Sequence, residues 1–392
     1  FDFKLVALGL LIQIILASVI LKVSFVQDLF LWISHGINHL KAATAEGTKF
    51  VFGYLGGGDL PFATKDGNAP FIFAFQALPM VIVISAISML LFHWKILPYI
   101  VRVFSFALRR SLNVGGALGV CCAAKVFLGQ TEAPLLIRPY LSRFSRSELF
   151  TVMTVGMATT SASLMVLYGT LLEKTLSNPI SHILTASIIS IPAAIVISRI
   201  MVPHEGDDTS GEMKMPYKFS GSMDAVSRGA ADGLQMFLGI AAMLIVTLAL
   251  VKLVNIILGT FPDIGGEPIS LQRLFGYILA PLTWLMGVSW TDAPTAGHLL
   301  GTKTALNEIV AFIDLSNISQ NAISDHTKLI MTYALCGFAN LGSIGIQIGT
   351  LGTMAPDRRD EVISLGFKAV VAGTFASCLS GTVVGMLHWF GG

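Results

Sequence analysis

Six runs of about twenty apolar residues punctuate this sequence, near 5–25, 70–94, 148–170, 180–202, 235–258 and 364–388. A helix rises about 1.5 Å per residue, so about 20 apolar residues cross the hydrocarbon core of a bilayer. Within lipid every backbone N–H and C=O must find a partner inside the protein, and runs of this length satisfy that only as helices. The chain therefore reads as an all-α, multi-pass integral membrane protein. Only 12% of its 392 residues are charged, against roughly 25% in soluble domains. The formal net charge is +2, which leaves no electrostatic footprint for DNA or RNA. A soluble enzyme, a disordered regulator and a nucleic-acid binder are excluded on these grounds.

Two further apolar regions, about 271–289 and 327–352, are richer in Gly, Ser and Asn. The stretch 26–55 repeats its apolar residues at helical spacing with His35, His39 and Lys41 between them. That pattern predicts a helix lying in the membrane interface, and 95–113 reads the same way through Lys95, Arg102, Arg109 and Arg110. The hydrophilic segment His204–Glu212 is a solvated connector that divides the chain in two. Cys121, Cys122, Cys336 and Cys378 all lie in apolar stretches and read as small buried residues rather than a disulfide framework. No histidine pair has zinc-ligand spacing, and Gly56-Gly57-Gly58 lacks the strand–helix context of a phosphate loop. No resident cofactor or metal is expected, nor ATP-driven transport by this chain alone. Arg358, Arg359 and Lys368 precede the last run and only His388 follows it, which turns the C-terminus away from the cytoplasm. Arg138, Arg143 and Arg146 mark the cytoplasmic side by the same rule.

Polar groups interrupt the apolar pattern in two similar places. Gly115–Tyr140 and Thr291–Phe312 are too short and too polar to cross the bilayer once, and each carries a polar–Glu pair, Thr131-Glu132 and Asn307-Glu308. Each is followed by an apolar helix with a polar break, at Ala158–Ser163 and at Gly337–Ser343, and then by a plain span. A doubled, interrupted layout of this kind points to a transporter built from an inverted repeat. Unwound backbone is tolerated at membrane depth only where it lines a polar cavity, and there its free N–H and C=O groups become ligands. The expected division is scaffold spans and interfacial helices over 1–113, a first transport repeat over 114–202, the loop and further scaffold over 203–290, and a second transport repeat over 291–392. A carboxylate at the bilayer centre costs about 2.5–3.5 kcal/mol on insertion scales. Glu132 and Glu308 are therefore the leading functional candidates, although either could instead brace a neighbouring lysine or backbone amide. Asn340 and Ser343 stand three apart and share a helix face.

Three motifs, Gly129-Gln130-Thr131-Glu132-Ala133-Pro134-Leu135, Gly301-Thr302-Lys303 through Asn307-Glu308-Ile309-Val310-Ala311, and Ala334 through Leu341, resemble those of the concentrative nucleoside transporters, in particular their bacterial members. Weaker similarity runs from Asp2 to the C-terminus. The resemblance implies a homotrimer in the bacterial cytoplasmic membrane and a transport domain of two re-entrant hairpins and two broken helices. It implies that Gln130, Thr131 and Glu132 face the nucleobase of a substrate such as uridine. Glu308, Asn340 and Ser343 would then hold the ribose hydroxyls, with Phe338 close by. A further helix ahead of 5–25 is expected from the family pattern. This sequence departs from it at Lys125, where sodium-coupled members similar to it carry Asn. The remaining ion-site positions match Leu128, Thr159 and Thr160. An ammonium cannot ligate sodium, so three readings stay open. Lys125 titrates, as a lysine taken out of water can, and the carrier is proton-coupled; or it is a fixed cation replacing sodium; or it points away and sodium binds as usual. The first is preferred. An intramembrane enzyme using Glu132 and Glu308 as an acid–base pair, and a passive channel, are the competing classes. An enzyme site need not be doubled in two similar halves, and a channel would need a continuous polar pore rather than two isolated breaks.

Overall fold

The computed structural model describes residues 3–389 apart from 63–70, 113, 174, 205, 207, 208, 212, 214–217, 264, 265, 267, 320 and 321. Glu205, Asp207, Asp208 and Glu212 of the hydrophilic connector, and the start of the run expected at 70–94, lie outside the described residues. Among the described residues every regular element is helical. Six segments are long and apolar enough to cross a membrane, Phe3–Lys22, Phe73–His93, Arg146–Leu171, Pro179–Met201, Ser222–Leu258 and Pro356–His388.

α1 (Phe3–Lys22) and α2 (Ser24–Phe52) are separated by Val23, whose extended backbone ends the first run earlier than hydropathy suggests. α3 (Phe73–Gln76) and α4 (Met80–His93) divide the second run, with Pro79 between them offering no N–H to a helical ladder. α5 (Ile96–Leu112) is amphipathic: it buries Leu97, Val101, Leu108 and Leu112 and turns Arg102, Arg109 and Arg110 outward. α6 (Gly116–Ala124) enters the first hairpin, and a 3-10 stretch, Ala133–Arg143, leaves it. Pro139 removes a donor that an α-helical return would need, so that arm winds more tightly.

α7 (Arg146–Ala158) opens on a capping box in which Ser145 Oγ accepts from the Glu148 N–H at 3.2 Å and the Glu148 carboxylate from the Ser145 N–H at 2.8 Å. It stops at Ala158, and α8 (Ala162–Leu171) restarts on Ser161 as its N-cap. α9 (Pro179–Met201) completes this set. α10 (Ser222–Leu258) begins at Ser222 rather than near 235. Its first turns carry the Arg228–Asp224 pair at 2.9 Å, so the helix continues past the point where the apolar run ends. Then come α11 (Leu271–Leu285), a second hairpin of α12 (Ala293–Ala305) and α13 (Glu308–Asn317), the broken helix α14 (Asp325–Leu335) and α15 (Leu341–Met354), and α16 (Arg359–Trp389).

The order amphipathic helix, hairpin, broken helix, spanning helix thus occurs twice, over α5–α9 and α11–α16. The repeated unit reaches further upstream than the sequence suggests. α5 packs on α6 as α11 packs on α12, and α4 packs along α10. α10 and α11 precede the second hairpin as α4 and α5 precede the first.

Side-chain bonds fix the relative directions. Ser147 Oγ donates to Val202 O at 2.7 Å and Arg358 Nη1 to Phe144 O at 2.6 Å, so the start of α7, the end of α9 and the start of α16 share one end of the molecule. The His326 and His388 rings lie 5.6 Å apart, which puts the start of α14 at the far end, beside the end of α16. His182 Nδ1 and Tyr333 Oη are 3.0 Å apart, so the start of α9 lies against α14. α7 and α14 therefore run in opposite directions, as do α9 and α16. The two copies are inverted.

Candidate functional site

The two helix breaks meet. Gly337, in the break between α14 and α15, has φ 156°, and a Cβ there would stand 2.8 Å from Ala158 O and 2.9 Å from Met157 O at the end of α7. Only a residue without a side chain allows the backbones to approach this closely. Beside this contact lies a cavity of about 340 Å³. Its polar wall combines Gln130 and Thr131 from the first hairpin with Glu308, Asn340 and Ser343 from the second repeat, and Phe338 lies at the break. The opposite wall is apolar and comes from α10 through Met236, Ile240 and Met243. Six of the seven residues expected to hold substrate thus line one cavity.

Glu308 is the most constrained of them. It is the first residue of α13, behind Asn307, which caps that helix by accepting from the Val310 N–H at 3.0 Å. Its side chain is buried. Oε1 accepts from the Tyr168 hydroxyl at 2.8 Å and Oε2 from Asn340 Nδ2 at 2.9 Å. Asn340 is itself the N-cap of α15, with Oδ1 accepting from the Ser343 N–H at 2.9 Å. One Asn side chain therefore both starts a helix at the break and orients the carboxylate. Lys303 lies within electrostatic reach of Glu308, and its Nζ donates to Ala334 O at 2.8 Å and to Ser377 Oγ at 3.0 Å. Across the cavity, Gln130 Nε2 approaches Ser343 Oγ at 3.4 Å, while Gln130 Oε1 is buried without a donor among the described residues. A carboxylate with spare lone pairs thus faces an amide acceptor awaiting a donor.

The seventh residue, Glu132, does not line this cavity. Its Oε2 accepts from the Gly129 N–H at 2.9 Å, and the carboxylate turns into a separate pocket of about 20 Å³ with Leu128, Ser85 and Ser163. Lys125, Thr159 and Thr160 do not line this cavity either. Lys125 is fully buried, and its Nζ donates to Gly129 O at 3.3 Å. A Cβ at Gly156 would lie 3.1 Å from that Nζ and 2.8 Å from Gln347 Nε2. Thr159 Oγ1 donates back to Val155 O at 2.7 Å, and Thr160 Oγ1 is buried without a hydrogen-bond partner among the described residues. Sequence reasoning did not single out Tyr168, Gln347 or Lys303. Gln347 follows Ser343 by four residues and so shares its helix face, and Lys303 sits inside the motif Gly301-Thr302-Lys303, so both carried a usable signal. Tyr168 is one polar group in an apolar run and carried almost none.

Comparison with known proteins decides the family. Residues 182–385, more than half of the chain, match the family described as "Na+ dependent nucleoside transporter C-terminus", residues 1–55 its N-terminal counterpart, and residues 74–175 a "Nucleoside recognition" gate. The chain belongs to the sodium-dependent nucleoside transporter family. It is thus a multi-pass membrane transporter and not an enzyme. It is 37% identical over 391 residues to the uncharacterized transporter YutK of Bacillus subtilis, covering 98% of this chain and 92% of that protein. It is 32% identical over 391 residues to the nucleoside permease NupC of Helicobacter pylori, covering 98% of this chain and 91% of the permease. The structure of CNTnw in an inward-facing substrate-bound state superposes with a TM-score of 0.89 at 32% identity, covering 100% of this chain and 93% of that one.

Proposed function

We propose that this transporter imports nucleosides by alternating access at the cavity between the two helix breaks. The observation that carries this reading is the opposition of Glu308 and Asn340 to Gln130 across one chamber walled by α10. A ribose presents vicinal hydroxyls that donate to a carboxylate in charge-assisted bonds. Glu308 already receives two donors, and a carboxylate offers about four acceptor positions, so two hydroxyls can still be accommodated. Asn340 and Ser343 complete the sugar side. Gln130 and Thr131 meet the edge of the base, whose N–H groups would satisfy the orphaned Gln130 Oε1. The apolar α10 wall and Phe338 receive its faces. Glu132 acts at one remove by pinning the Gly129 amide at the hairpin tip. The assembly proposed is a homotrimer in the bacterial cytoplasmic membrane, with the arginine-rich end that joins Phe144 to Arg358 inside. Saturable uridine uptake with counterflow in proteoliposomes tests the carrier. Chemical conversion of uridine, or flux that never saturates, would refute it.

The coupling ion proposed rests on Lys125. Its ammonium donates to the Gly129 carbonyl, where a sodium ion would need an acceptor. A buried cation there repels a second one. The driving ion proposed is the proton, with Lys125 as the group that carries it; a fixed Lys125 cation in an uncoupled carrier is the alternative, and uptake that ignores both ion gradients would favour it. Uridine uptake is expected to follow an inward proton gradient and to ignore a sodium gradient at constant pH. Lys125→Asn is expected to create sodium dependence, measured as at least about a tenfold stimulation of uptake by sodium. Uptake in the unaltered protein driven by sodium alone would overturn this assignment.

A further inference from the structure

We infer that Tyr168 is a positioning residue that presents Glu308 to the sugar across the repeat boundary, an inference that rests on the sugar-site reading of Glu308. Tyr168 belongs to α8, in the broken helix of the first repeat, whereas Glu308 opens the second hairpin. The side chain is fully buried, and its ring stacks on Phe312, one turn beyond Glu308, with centroids 4.7 Å apart and planes at 29°. The stack fixes the ring, and the ring aims its hydroxyl at Glu308 Oε1, 2.8 Å away. Asn340 holds the other oxygen at 2.9 Å, so the carboxylate is gripped from both repeats at once and has one orientation. Tyr168 is carried by α8, so movement of α8 relative to the second hairpin reaches the carboxylate through this bond. Binding of sugar hydroxyls and the geometry of the first repeat are tied together at this bond.

Without the hydroxyl, Glu308 keeps its charge and its Asn340 partner but loses the donor that fixes its plane. A bond from a neutral donor to a charged acceptor is stronger than one between neutral groups, so a selective loss for ligands that use Glu308 follows. The test is equilibrium binding of radiolabelled uridine and of 2′,3′-dideoxyuridine to the full chain in detergent, for the unaltered protein and for Tyr168→Phe, which retains the ring stack. The unaltered protein is expected to bind uridine at least about tenfold more tightly than the dideoxy analogue. Tyr168→Phe should weaken uridine about tenfold and leave the analogue within about twofold, collapsing the ratio. A role confined to packing would weaken both ligands equally, and that result, or no change for either, overturns the inference. If Tyr168→Phe does not yield folded protein, Phe312→Leu loosens the ring while keeping the hydroxyl and is expected to reduce the same ratio by a smaller factor. An unchanged ratio there also overturns it. A ratio near one in the unaltered protein would refute the sugar-site reading itself, which separates the two failures.

Discussion

Glu308→Gln is expected to weaken uridine by roughly 30- to 150-fold while changing the affinity for free uracil less than about threefold. The range corresponds to about 2–3 kcal/mol, the upper part of what a hydrogen bond to a charged group contributes. The amide keeps the shape of the side chain and one acceptor oxygen, so Asn340 or Tyr168 can still find a partner, but not both as donors to the same two oxygens. What disappears is the negative charge that Lys303 faces and that a ribose hydroxyl would meet in the proposed site. Uracil has no sugar and makes no use of it. Side-by-side competition binding with uridine and uracil measures the effect. An equal loss for both ligands would mean that Glu308 supports the cavity as a whole rather than the sugar.

Gly337→Ala is expected to abolish uptake and to lower the thermal midpoint of the detergent-solubilised protein by several degrees. The added methyl would lie within 3 Å of two backbone carbonyl oxygens and a carbonyl carbon of α7. None of these atoms belongs to a flexible side chain that could swing aside, so one of the two breaks must move. Overpacking a tight contact costs about 1–3 kcal/mol even where neighbours can relax, and here the displaced elements carry Asn340 on one side and Thr159 on the other. Gly349→Ala on α15 is the matched control, since a Cβ there meets nothing within 4 Å. Differential scanning fluorimetry with both variants separates the effect of the break from a general intolerance to substitution. Normal uptake by Gly337→Ala would contradict the close approach of the two broken helices.

The spans, the two hairpins and the two breaks were legible because each has a strong local cause. Twenty apolar residues, Pro139 of the first return arm, and the caps at Ser161, Asn307 and Asn340 all act within a turn or two of themselves. The polar–Glu pairs were legible because a carboxylate in an apolar segment is costly wherever it ends up. Boundaries were less readable where charge and hydropathy separate. α10 extends upstream on a turn held by Arg228 and Asp224, and Pro79 splits a run that hydropathy treats as continuous. The upstream extent of the repeat was hidden because α5 and α11 are related by what they pack on rather than by composition.

Contacts between repeats were the least visible. Tyr168 reaches Glu308 across 140 positions in sequence, and Gln347 reaches the Met153 carbonyl across 194. No local pattern encodes either distance. Glu132 shows the same limit from the other side: its neighbours Gln130 and Thr131 face the larger cavity, but its own direction is set by the Gly129 amide.

The most direct test of the shared chamber is a structure of the full chain in nanodiscs with uridine bound. The sugar is expected between Glu308 and Asn340, with the base reaching Gln130 and Thr131 against the α10 wall. Uridine density seated elsewhere, touching residues of a single repeat and leaving Glu308 with only its protein partners, would contradict the account.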